Sequence, residues 1–415
     1  MSTAPAARRV AQAAPPVALY IHIPFCVSLC PYCDFVVYAG AAARGPKARI
    51  GAFIDALHAE LDLRADALDR TFGPRRPPLE TVYFGGGTPS LLEADAVGEL
   101  LARVRARYGV APGAEVTLEA NPGPDERGDA GALRAAGVTR LSLGAQAMSD
   151  PGLRRLGRRH RAADVGAAVV AAREGGIGSV SLDLLYDAPD ASLADWIETL
   201  EAAIALRPDH LSLYALTLDD PDAEGLTGPA GDHLPTTSGA RRWRAAARPR
   251  QDDDRAAAEY HHAVHRLGAD GWRGYEISNW ARPGHESRHN LVYWERRPYE
   301  AVGPGTHAFD GVTRRWNAAR LAGYLGALAP TDGAAPRLPP GDSEIIDPAT
   351  QAAETVILGL RTDRGVPLSA AHEPPLADPF GWALAAELLD VTEDERVVLT
   401  TRGRLLSNEL FSRLV

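Results

Sequence analysis

Six short runs rich in apolar and β-branched residues recur through the first half of the chain, at 18–23, 81–84, 115–118, 140–143, 179–184 and 210–216. Each follows an Ala-, Leu- and Arg-rich stretch of helical character, and each ends in a polar or glycine-rich turn. Strands that alternate with helices predict parallel β/α units. Six units are too few to close an eight-fold barrel, so the expected fold class is α/β: a partial (β/α)6 TIM-type barrel. Its ligand groups belong at the C-terminal ends of the strands.

The pattern changes after the sixth run. From 219 to 255 the chain is rich in Pro, Gly, Asp and Arg and reads as a linker. The remainder, 256–415, is expected to form a C-terminal α+β domain. Helices near 352–360 and 382–389, a strand pair at 397–400 and 404–406, and a last short helix suggest a winged-helix-like element there. Residues 1–16, rich in Ala and Pro with Arg8 and Arg9, read as a disordered leader, which leaves 17–218 for the barrel.

Composition is that of an ordinary globular chain, with 45% hydrophobic and 24% charged residues. No run of 18 apolar residues occurs and the first residues lack a signal-peptide core, so a cytoplasmic protein without a membrane span is expected. A formal net charge of −10 opposes nucleic-acid binding. The basic run at 154–161 then reads as a solvated helix face. Glu393, Asp394 and Glu395 beside the wing also oppose phosphate contact.

The chemistry concentrates in one loop. All three cysteines, Cys26, Cys30 and Cys33, follow the first strand at C-x3-C-x2-C spacing. Three thiols cannot all pair as internal disulfides, and a chain of 415 residues needs no such staple, so a soft metal centre is indicated. A structural zinc site would need a fourth ligand, from His22 or His58. An iron-sulfur cubane on three thiolates leaves one iron open to a substrate. Later strand ends carry Gly86, Gly87 and Thr88, then Glu119, Gln146 and Asp183. Polar residues on successive strand ends are the pattern of a barrel ligand site.

The cysteine loop, with Tyr32 just before the last cysteine, resembles that of the radical S-adenosylmethionine superfamily. The resemblance implies a 4Fe-4S cluster on Cys26, Cys30 and Cys33, whose open iron chelates S-adenosylmethionine and whose electron releases a 5′-deoxyadenosyl radical. It also implies that Gly86, Gly87 and Thr88 sit against the methionyl amine. By the same resemblance Glu119, Gln146, Arg158 and Asp183 contact the ribose, carboxylate or adenine, and Tyr20 and Tyr32 line the pocket. Arg158 suits a carboxylate because its guanidinium is a rigid two-pronged donor.

Further segments narrow the resemblance to the branch that holds oxygen-independent coproporphyrinogen III oxidase and the HemW-type heme chaperones. They are Tyr20-Ile-His-Ile-Pro-Phe-Cys26, Phe84-Gly-Gly-Gly-Thr-Pro-Ser90, Glu119-Ala-Asn-Pro122, Leu156-Gly-Arg-Arg-His160, Tyr275-Glu-Ile-Ser-Asn279 and His289-Asn-Leu-Val-Tyr-Trp294. Phe35 stands where the oxidase has a fourth cysteine, and the oxidase's long N-terminal arm has only nineteen residues as its counterpart. His289-Asn-x-x-Tyr293-Trp294 matches the chaperones' heme motif. These features imply heme bound at His289, an acceptor apoprotein and an electron donor; the oxidase reaction, decarboxylation of coproporphyrinogen III propionates, is the alternative.

Two departures stand out. Asp187 occupies a turn position that is glycine in the family, and 225–250 is longer and richer in arginine, which leaves its contacts open. His261, His262 and His265 read as part of a solvated helix, and His307 is given no role.

Overall fold

The computed structural model describes residues 12–42, 49–218, 220–329, 333–372 and 376–414. Six parallel barrel strands lie where the pattern puts them: Ala18–Ile23, Leu79–Gly86, Val110–Ala120, Arg140–Gln146, Ser179–Tyr186 and His210–Ala215. They are adjacent in that order. Alternation decides the two faces. Leu19, Ile21, Val82, Phe84, Val116, Leu118, Leu141, Leu143, Val180, Leu182, Leu211 and Leu213 are buried in one apolar core. The intervening residues, among them Tyr20, Tyr83, Glu119, Ser142, Asp183 and His210, face a polar lumen and bond to one another across it. Burying the apolar set contributes roughly 1.5–3 kcal/mol for each large side chain.

One twelve-stranded sheet runs through both expected domains. The first barrel strand pairs in parallel with Tyr299–Val302, which leads outward to His307–Phe309, Thr313–Asn317 and Gly341–Ile345. At the other edge Asn279–Ala281 pairs antiparallel with the sixth strand. The sheet therefore crosses the expected break at 218/219. Within the expected linker lies a helix, Ser238–Ala247. Of the expected leader, 1–11 fall outside the described residues. Ala14 N donates to Asp310 O at 2.8 Å and Val17 N to Pro298 O at 3.0 Å, so 14–17 are tied to the ends of strands Tyr299–Val302 and His307–Phe309.

The C-terminal end has its own apolar core, including Val356, Leu360, Phe380, Val397 and Leu410. Helices Pro348–Arg361 and Ala377–Ala385 pack with a three-stranded sheet in the order Val366–Pro367, Arg396–Leu399, Leu389–Val391. The expected strand at 404–406 is corrected: the chain is helical over Thr401–Leu405 because the Thr400 hydroxyl caps it, accepting from Gly403 N at 2.9 Å. Glu393, Asp394 and Glu395 lie in the turn between the two longer strands. Among the described residues no helix is long and apolar enough to cross a membrane.

One buried carboxylate joins the early and late parts of the chain. Glu60, on helix Ile50–Phe72, is 0% exposed. It accepts from Tyr324 Oη at 2.7 Å, Asn317 Nδ2 at 2.8 Å, Gly303 N at 2.8 Å and Arg64 Nε at 3.3 Å. Removing such a group strands several buried donors at once. Glu60→Ala is expected to destabilise the chain by about 3 kcal/mol, read as a lower urea midpoint.

Candidate cofactor site

The cysteine loop leaves the first barrel strand at Pro24. Phe25–Cys26 pairs with Tyr38–Ala39, which closes the excursion at its base. Inside it Cys33 N donates to Cys30 O at 3.1 Å. The glycine run after the second strand lies directly beneath. A Cβ on Gly86 would fall 2.3 Å from the His22 ring, and Gly86 has φ +111°. A Cβ on Gly87 would fall 2.6 Å from Phe25 O. Only glycine lets the two segments approach so closely.

Two of the three thiols meet different parts of the barrel. Thr88, expected against the methionyl amine, points its hydroxyl at Cys26 Sγ, 3.4 Å away. Arg158 Nη1 donates to Cys30 Sγ at 3.2 Å, and Nη2 to Gly144 O at 2.9 Å and Asn121 Oδ1. Gln146, held at φ +65°, brings its amide to the same spot beside Gly144. Cys26, Cys30, Tyr32, Thr88, Gln146 and Arg158 thus converge around Asn121. That residue was quoted within a motif but given no role; its position two residues past Glu119 was the available signal.

A second group sits deeper in the lumen. Glu119 accepts from Tyr83 Oη at 2.8 Å and Gly86 N at 2.9 Å. Asp183 accepts from Ser142 Oγ at 3.1 Å and Ser181 Oγ at 3.4 Å. Tyr20 Oη is hydrogen-bonded to His22 Nδ1 at 3.1 Å, and its ring stacks on Tyr83. Desolvation, opposed by the Tyr83 bond and aided by the Asp183 charge, pushes Glu119 up to about 7. Desolvation also raises Asp183.

Among the described residues no three His, Cys, Asp or Glu side chains are gathered as a metal site, but three thiols on one loop are the donor type of an iron-sulfur cluster rather than of a four-ligand zinc ion. Burial pushes Cys26 up to about 11 despite the Thr88 bond, and raises Cys33 further. Such thiols ionise when a metal supplies the compensating charge. The buried Tyr32 hydroxyl and Arg158 Nε have no hydrogen-bond partner among the described residues, so polar capacity remains at the loop. Neither proposed fourth zinc ligand is available. His22 is committed to Tyr20 and, through Nε2, to Val36 O at 2.8 Å. His58 lies in a separate surface groove with Glu99 and Arg103.

His289 lies beside the deeper lumen group, its ring 5.0 Å from that of Tyr83 and 6.4 Å from that of Tyr20. It belongs to helix Arg288–Trp294 and is 1% exposed. Nδ1 is hydrogen-bonded to Thr81 Oγ1 at 2.7 Å and Nε2 to Tyr293 Oη at 2.8 Å. Burial pushes it down to about 3, so the ring is neutral. Tyr293 packs edge-on against Tyr299, and Arg361 lies over the Trp294 ring at 4.3 Å. In this arrangement both imidazole nitrogens are in use, and an iron ligand bond would have to replace one of them.

Two further positions gain explanations. Asp187 adopts φ +54°, as a glycine-replacing turn residue must. Its carboxylate accepts from Asp252 N at 3.1 Å and pairs with Arg255, which fastens the turn to the helix that follows the linker. His307 is bonded to Asp232 Oδ2 at 2.7 Å, and His233 shares that carboxylate at 3.0 Å.

Residues 20–203 match the family described as the radical SAM superfamily. The heme chaperone HemW of Mycobacterium tuberculosis is 39% identical over 402 residues, covering 96% of this chain and 95% of that one. The heme chaperone HemW of Escherichia coli is 38% identical over 293 residues, 71% of this chain and 70% of that one. Among solved structures, the radical SAM enzyme coproporphyrinogen III oxidase (HemN) of Escherichia coli superposes with a TM-score of 0.77 at 20% identity, over 97% of this chain and 90% of that chain. That last likeness is one of fold.

The raised carboxyl of Glu119 has a consequence for stability. Its folded value lies above the ordinary 4.5, so the stabilisation it confers is complete below about pH 4.5 and is lost as pH rises through about 7. Glu119→Gln removes this dependence. Between about pH 5 and about pH 8 the wild-type chain is expected to lose about 2 kcal/mol more than the variant. Chemical denaturation of both proteins at the two pH values measures the difference.

Proposed function

This chain belongs to the HemW family of the radical SAM superfamily, and from that premise we propose that it is a heme chaperone. It binds heme, carries a 4Fe-4S cluster and S-adenosylmethionine, and passes heme to an acceptor protein. The observation that carries the reading is the likeness, along 96% of the chain, to a protein named as a heme chaperone. Phe35 supports it: where the oxidase pattern has a fourth cysteine, this chain presents an apolar ring that is 63% exposed.

Cys26, Cys30 and Cys33 would hold the cluster, which supplies one-electron chemistry toward the sulfonium of S-adenosylmethionine. The protein's part is positional. Thr88 and Arg158 direct hydrogen bonds at two of the three sulfurs, the arrangement that tunes a cluster through its outer contacts. Arg158 also has the planar fork that a methionyl carboxylate needs, and turning it to that ligand would cost its present bonds to Asn121 and Gly144. Glu119 and Asp183 offer acceptors for ribose hydroxyls or adenine. The Tyr20 and Tyr83 rings line the adjoining lumen.

Heme enters this reading through the His289-Asn-x-x-Tyr293-Trp294 segment. Because His289 is locked between Thr81 and Tyr293, its ligation of iron requires helix Arg288–Trp294 to move out of the barrel. Heme binding at that histidine is therefore expected to speed amide hydrogen exchange over 288–294. Heme that binds while those amides stay protected would sink the assignment of His289.

The function itself is tested on one anaerobically reconstituted preparation. Heme is titrated by absorbance, and coproporphyrinogen III is offered with S-adenosylmethionine and a reductant. Stoichiometric heme binding without decarboxylation is the expected result; substrate-dependent protoporphyrinogen formation would make the chain an oxidase. Alanine at any of Cys26, Cys30 or Cys33 should abolish the brown chromophore, as iron and sulfide analysis would show.

A further inference from the structure

The segment at 225–250 lies beyond the residues that match the superfamily, which end at 203. The helix within it, Ser238–Ala247, nevertheless packs on the cysteine loop. Thr237 caps it, its hydroxyl accepting from Ala240 N at 3.2 Å. The buried Ala247 joins an apolar cluster with Leu156, Leu216 and Leu218. The Trp243 ring lies 6.3 Å from that of Tyr32. Arg244, 5% exposed, reaches into the loop itself. Its Nε donates to Pro31 O at 3.2 Å and its Nη2 to Cys33 O at 3.0 Å.

We propose that Arg244 is a positioning residue for the iron-sulfur cluster, fixing the 31–33 backbone so that Cys30 and Cys33 present their sulfurs together, and placing a positive charge beside the cluster. The inference rests on the cluster assigned to the three cysteines. Between Cys26 and Tyr38 the loop has no strand or helix of its own, so its inward carbonyls need donors from elsewhere. A guanidinium supplies two from one rigid plane, which no other side chain does with a fixed charge. Outer contacts of this kind orient metal ligands, and a nearby cation favours the reduced, more negative state of a cluster. The superfamily portion of this chain is thus incomplete without a helix contributed from more than two hundred residues downstream of the loop.

Three full-length variants separate geometry from charge. Arg244→Ala removes both, Arg244→Gln keeps amide donors without charge, and Arg244→Lys keeps charge without the fork. Each is reconstituted anaerobically and read by iron and sulfide content, by the electron paramagnetic resonance spectrum of the reduced cluster, and by its midpoint potential. Arg244→Ala is expected to hold less iron and to lose its cluster several-fold faster in air. Arg244→Gln should show a more negative potential than wild type at comparable iron content, and Arg244→Lys should restore the potential but not the air stability. Circular dichroism checks that each chain folds. Should Arg244→Ala not fold, the Gln and Lys pair still decides. Wild-type iron content, spectrum and potential in both would overturn the proposal. A wild-type chain that takes up no cluster would overturn the cluster assignment instead.

Discussion

Every second side chain of the six barrel strands faces a lumen, and most of these are polar, so most must find partners inside. Tyr83 bonds to Glu119, Ser142 to Asp183, and Ser181 to His210, which continues to Tyr275 at 2.8 Å. An unpaired buried donor or acceptor costs about 1–3 kcal/mol, so these pairs act together to fix register. A slip of one residue would turn leucines into the lumen and carboxylates into the helix layer. The barrel is thus held by its apolar layer and aligned by its polar one.

The same requirement explains what the late part of the chain does. Arg140 donates to His285 O at 2.8 Å, Tyr275 Oη accepts from Ser287 N at 3.2 Å, and His289 bonds Thr81. These segments come from beyond residue 255, yet they satisfy groups on the second, fourth and sixth strands. A polar lumen needs such a plug, whereas a complete barrel would fill its interior with branched apolar side chains. Glu60 does the corresponding work outside the lumen, joining an early helix to the sheet extension at 303–324.

At the opposite end the polar partners are not exhausted. The cysteine loop rests on glycines that admit no side chain, and its sulfurs meet Thr88 and Arg158, while its carbonyls meet Arg244. Three elements distant in sequence hold one loop. Cys26 and Cys33 are pushed toward the protonated form by burial, the condition under which a bound metal has the greatest effect on their ionisation.

The sequence by itself determined the strands and the residue types at their ends, because a period of two and a C-x3-C-x2-C spacing are local properties. Ala18–Ile23 was legible to the residue, and Asp187 was legible as a left-handed turn. The strand expected at 404–406 was not, because Thr400 caps a helix there and Arg404, Leu405 and Leu406 are good helix formers. Nor was the continuity of the sheet across residue 218, since strand pairing over such separations leaves no periodic trace. His289 illustrates the division most plainly. Its motif named it as a ligand, and only the packing of Thr81 and Tyr293 around it decided that both its nitrogens are engaged in this conformation. Partners such as Arg244 and Pro31 are chosen by three-dimensional proximity, which a chain acquires only once its core has formed.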